Sequence, residues 1–105
     1  MKKYKYSSIQ YAEGYNKHDI TVNDIKKAII DVQEMDDEHG AFWVSIGSDT
    51  ADSCLEVHKE LGVSLTLDME LDEYFDYRAK NWQEVEELFV LFLEQKIDEL
   101  ISRIS

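Results

Sequence analysis

The sequence predicts an α+β two-layer sandwich: an antiparallel meander of about five strands with two helices packed on one face, in the order β-α-β-β-β-β-α. Two observations carry this. Residues 41–79 contain four runs of period-2 alternation joined by short links, while residues 21–36 and 81–103 carry apolar stripes at helical spacing. Both stripes must be buried, and the apolar side of the sheet is the surface available to them. A chain of 105 residues with no proline, no internal repeat and no linker-like stretch reads as a single domain spanning residues 1–105.

Each element has its own signal. YKYSSIQYA (4–12) reads as a first strand through Tyr4, Tyr6, Ile9 and Tyr11, and Gly14 and Asn16 mark a turn after it. Thr21 is placed to cap a helix, with Asp24 three residues on as in a capping box and Ile20 positioned to staple onto Ile25. Val22, Ile25, Ile29, Val32 and Met35 then repeat at helical spacing, predicting a helix over about 21–36, closed by Gly40.

AFWVSI (41–46), CLEVHK (54–59), VSLTLDM (63–69) and YFDYRA (74–79) alternate as strands, with Gly62 breaking the second from the third. Their short links imply antiparallel pairing, and strict alternation implies one buried face and one wet face. Asn81 sits three residues before Glu84, a second capping arrangement. Trp82, Val85, Leu88, Phe89, Phe92, Leu93, Ile97, Leu100, Ile101 and Ile104 then form one broad stripe, predicting a helix over 81–103.

Charge narrows the function. The formal net charge is −12, with 23 acids against 11 bases. Between Asp31 and Asp76 there are 14 acids and one base, Lys59, whereas six of the 11 bases lie at or before Lys27. Such a chain repels phosphate backbones and anionic lipid heads, so neither nucleic acid nor a membrane is expected as a partner. The acidity reads either as ordinary solubility or as a steering field for a basic partner. MKKYKYSSIQ lacks the apolar run of a signal peptide, and one cysteine, Cys54, has no mate within the chain, so the expected compartment is the cytoplasm.

Alternation puts Trp43, Ser45, Cys54, Glu56, His58, Ser64, Thr66, Asp68, Tyr74, Asp76 and Arg78 on the face turned away from the helices. Aromatic anchors among carboxylates are what a protein-binding face uses. The expected partner-binding residues are therefore Trp43, Glu56, His58, Asp68, Glu70, Asp72, Tyr74 and Asp76. The opposing reading for Trp43 is that the N-terminal segment or the 47–53 loop covers it.

The search for chemistry yields no catalytic residue, cofactor or metal. DMELDEYFD (68–76) lacks the turn glycine and ligand spacing of an EF-hand. Asp36, Asp37 and His39 read as a solvated helix end, and His18, His39 and His58 have no zinc spacing. Cys54 and His58 share a strand face but lie four residues apart, about 13 Å between Cα atoms, too far for a nucleophile and its base. Glu56 and Asp68, on adjacent strands, lack the cleft that would raise one carboxyl pKa. No enzyme is expected.

"GAFWVSI", "LEVHKELGVSLTL" and "YFDYRAKNWQEVEELFVLFLEQ", in this element order, resemble the small immunity proteins of bacterial polymorphic-toxin and contact-dependent inhibition systems. The likeness covers roughly residues 20–95, including the polar-aromatic step Ala79–Lys80–Asn81–Trp82 from the last strand into the helix. The resemblance implies a protein that binds and occludes a cognate toxin domain; many such toxins are basic nucleases. It brings no shared functional motif, because each member is shaped to its own toxin. The alternative reading is a non-catalytic regulatory or adaptor domain, including a homodimer through the open sheet face.

Overall fold

The computed structural model describes residues 6–12, 14–36, 40–47, 52–68 and 73–104. The chain runs β1 (Tyr6–Tyr11), β2 (Asn16–His18), α1 (Val22–Glu34), β3 (Ala41–Gly47), β4 (Asp52–His58), β5 (Gly62–Asp68), β6 (Glu73–Arg78), α2 (Trp82–Leu93) and α3 (Ile97–Ile104). The strands form one antiparallel sheet in the order β2-β1-β3-β4-β5-β6. This is the expected α+β sandwich with an open sheet.

The inward face follows from the alternation. Ile9, Phe42, Val44, Leu55, Val57, Val63 and Leu65 are almost fully buried and join Ile25, Val32, Val85, Leu88, Phe89 and Phe92 of the helices in one core. Phe42 meets Phe89 at 5.0 Å between ring centroids, which ties β3 to α2 at the centre. No described helix is long and apolar enough to cross a membrane.

Both helix starts are built as their sequences suggest. The Asp24 carboxylate reaches back to the Thr21 N–H at 2.9 Å. The Asn81 side chain accepts the Glu84 N–H at 2.9 Å. Ile20 and Ile25 are both buried beside the first of these caps.

Three features differ from the sequence reading. A sixth strand, β2, returns from the Gly14 turn and pairs with β1 at the sheet edge. Its residues Asn16, Lys17 and His18 are all exposed, so no apolar alternation announces it. The expected single closing helix is two helices, broken where Gln95 takes φ 62. The break is a Schellman turn: the Gln95 N–H goes to the Phe92 carbonyl at 3.0 Å and the Lys96 N–H to the Leu91 carbonyl at 2.9 Å. The apolar stripe continues past the turn through Leu100 and Ile104, so its periodicity reads as unbroken. In the β4–β5 hairpin, the left-handed residue is Leu61 (φ 73), and Gly62 is already the first residue of β5.

Candidate functional site

The open face is ordered in rows set by strand register. One row crosses all six strands: Asn16, Gln10, Trp43, Glu56, Ser64 and Asp76. Within it the Trp43 indole N–H donates to Gln10 Oε1 at 2.6 Å, and Ser64 Oγ donates to Asp76 Oδ1 at 2.7 Å. Trp43 is half-buried, with its indole N–H fixed by a neighbouring strand. The adjacent row is small at its centre, Ser8, Ser45, Cys54 and Thr66, with His18 and Tyr74 at its two ends. Beyond it Tyr6 lies across Gly47, where a Cβ would sit 2.1 Å from the ring. The face therefore has a low central strip between the Trp43 row and Tyr6.

Charge gathers at one end. His58 Nε2 lies 3.1 Å from Glu56 Oε2, two residues along the same strand face. A shallow hollow of ≈ 430 Å³ is lined there by His58, Glu60, Gly62, Ser64, Asp76 and Arg78, with the Arg78 guanidinium donating to the Glu60 carbonyl at 2.7 Å. The hollow brings both signs of charge together. Its serine hydroxyl is given to a carboxylate and its imidazole sits against another, so this is a polar contact surface rather than a nucleophile with its base. The Cys54 thiol is pushed up by burial, with a hydrogen bond from Ser45 working the other way, so it is no readily formed thiolate. Among the described residues, no cluster of His, Cys, Asp or Glu is placed to hold a metal ion.

No protein-family model, curated protein or solved structure matches the chain.

The sequence-predicted residues thus separate into groups. Trp43, Glu56 and Asp76 fall in one row, with His58 beside Glu56. Tyr74 pairs with Thr66 in the neighbouring row. At Asp68 the register slips from Thr66↔Tyr74 to Asp68↔Glu73, so strict alternation does not carry past Thr66. Glu70 and Asp72 lie outside the described residues, as do Asp37 and His39 of the helix-end cluster. Gln10, which holds Trp43, was not marked by the sequence reading. Its role depends on β1 pairing with β3 across an intervening hairpin and helix, which local patterning does not encode.

Proposed function

We propose that this protein is an immunity-type inhibitor that binds a basic toxin domain through the open sheet face and occludes it without chemistry. The observation that carries the reading is the Trp43 row: a flat indole held by Gln10 and followed across the sheet by Glu56 and Asp76. A rigid aromatic plane is a low-entropy anchor, and carboxylates beside it match a cationic partner and speed its approach. The low strip of Ser45, Cys54 and Thr66, each partly exposed, leaves room for the partner's side chains. By sequence alone, Asp68, Glu70 and Asp72 beside Tyr74 add to the negative charge offered to such a partner. The resemblance to immunity proteins and the net charge of −12 support the same reading, and the bacterial cytoplasm is its setting.

The reading requires a toxin domain encoded beside this gene, and a neighbourhood without one counts against the reading. The test is co-expression with that domain, followed by titration of the purified pair at two salt concentrations. The parent chain is expected to restore growth. Glu56→Lys and Trp43→Ala are each expected to weaken binding roughly tenfold or more, with the Glu56 effect larger at low salt. Melting curves of both variants separate lost binding from lost folding. Unchanged affinity for folded Glu56→Lys and Trp43→Ala proteins would remove the open face from the interaction.

A further inference from the structure

The two edges of the sheet are not alike. β2 is three residues long and runs into Asp19 at φ 56, which bends the chain away and blunts that edge. β6 is six residues long and, among the described strands, pairs with β5 alone. The hydrogen-bond phase of β6 follows from one contact, the Ala79 N–H donating to the Leu61 carbonyl at 2.9 Å. In an antiparallel ladder, alternate residues turn both backbone groups the same way. Tyr77 and Phe75 therefore face β5, whereas Tyr74, Asp76 and Arg78 turn their N–H and C=O outward. Asp76 and Arg78 are also exposed at their side chains.

We propose that two copies of this chain join through the β6 edge, extending the sheet in the register that sets Asp76 of each copy opposite Arg78 of the other. This rests on the strand edge alone and not on the toxin-binding reading above.

Three facts favour a second copy in this register. First, edge-facing residues must meet edge-facing residues, and Asp76 and Arg78 are both of that phase, so each pair exchanges two backbone hydrogen bonds. Second, a two-fold axis at Tyr77 puts opposite charges together twice. An axis at Asp76 would oppose two like carboxylates, and one at Phe75 would carry Arg78 past Glu73, beyond the end of the partner's strand. Third, both side chains keep bonding capacity: Asp76 uses one oxygen for Ser64, and Arg78 one nitrogen for the Glu60 carbonyl. The interface is small, so association belongs to the weak class. The net charge of −12 per copy opposes it over long range, a repulsion largely screened at about 0.15 M salt, where the Debye length is about 8 Å.

The test is sedimentation equilibrium at that salt up to about 1 mM chain, with amide hydrogen exchange on the same samples. The parent is expected to shift from monomer to dimer with concentration, while the Asp76 and Arg78 amides gain protection. Asp76→Arg and Arg78→Asp should each weaken self-association roughly tenfold or more. Their equimolar mixture should form the mixed dimer, and the double exchange Asp76→Arg with Arg78→Asp should restore the parent behaviour. Arg78→Asp gives up the bond to Glu60, so its melting curve is recorded alongside. If that variant does not fold, the parent exchange pattern and the Asp76→Arg mass still decide. A parent that stays monomeric at the highest concentration, a dimer without protection of those two amides, or one that Asp76→Arg leaves unchanged overturns the proposal.

Discussion

The Tyr77 hydroxyl donates to Glu84 Oε2 at 2.8 Å, joining the last strand to the first turn of α2. The other carboxylate oxygen of Glu84 accepts the Lys80 N–H at 2.7 Å, and Arg103 of α3 approaches the same side chain at 3.8 Å. One carboxylate thus locks the strand-to-helix step and touches the final helix. Glu84→Ala is expected to cost about 2 kcal/mol and Tyr77→Phe about 1 kcal/mol, since a hydrogen bond to an ionised group outweighs a neutral one. The double variant should lose less than the sum, because both single changes remove the same bond. Urea denaturation of the four proteins checks this; strict additivity would show that the hydroxyl and carboxylate act independently.

Acid should weaken the fold through a few identifiable carboxylates. The hydrogen bond from Lys27, then that from Tyr11, holds Asp31 below the ordinary aspartate value of 3.8. Glu84 lies below the ordinary 4.5, chiefly because of the Lys80 N–H and, against some burial, the Tyr77 hydroxyl. In Asp24 partial burial pushes upward, but Lys17 and the Thr21 N–H outweigh it and the value is lowered. With folded values depressed, the unfolded chain binds more protons through this window. The contribution is therefore complete above about pH 5 and is lost as pH falls through the ordinary values toward the folded ones. Melting temperature should be similar at pH 7 and 5 and lower at pH 3, with Asp31→Asn showing a shallower acid decline. A parent curve flat from pH 5 to 3 would contradict these placements.

Legibility in the sequence tracked the range of the interaction. The Asn81 cap, the Thr21–Asp24 start and the alternation of β3 to β5 are local, and each is readable from a few neighbouring residues. The row Gln10–Trp43–Glu56–Ser64–Asp76 is only half local. β3, β4, β5 and β6 are consecutive, so their alternation brings Trp43, Glu56 and Asp76 together, while Gln10 arrives through a register fixed by tertiary packing. β2 escaped because a polar edge strand carries no apolar period. The break at Gln95 escaped because a glutamine in the left-handed region carries no glycine signal, and the stripe on either side stays in phase.

That glutamine offers a gain in stability. A left-handed conformation costs an L-residue about 1–2 kcal/mol, which glycine avoids at the expense of greater freedom in the unfolded chain. The Schellman hydrogen bonds at Phe92 and Leu91 use backbone atoms alone and survive the change. Gln95→Gly is expected to stabilise by about 0.5–1 kcal/mol, raising the melting temperature by about 2–6 °C. Gln95→Val, β-branched and ill-suited to positive φ, should move it the opposite way. Calorimetry on the pair decides, and a loss in the glycine variant would mean that the Gln95 side chain makes a compensating contact.

Two glycines should respond to alanine in the reverse order of their apparent crowding. At Gly47 an added Cβ would lie 2.1 Å from the Tyr6 ring, the closer of the two approaches. The approached atoms are the far end of a side chain 42% exposed on the open face, so they can give way at less cost than backbone. At Gly40 the Cβ would lie 2.8 Å from both the Asp36 carbonyl oxygen and Lys59 Cβ. Those atoms are anchored. The Lys59 N–H bonds the Gly40 carbonyl at 2.7 Å, and the Lys59 ammonium donates to the Met35 carbonyl at the end of α1. Lys59 is the one base between Asp31 and Asp76, and it sits where a helix C-terminus favours a cation. Relief at Gly40 must therefore come from backbone movement or from breaking this cap. Gly40→Ala is expected to cost about 1–3 kcal/mol and Gly47→Ala about 0.5 kcal/mol or less. Chemical denaturation of the two variants under one set of conditions checks the order; a larger loss at Gly47 would show that the Tyr6 ring is held more firmly than its exposure implies.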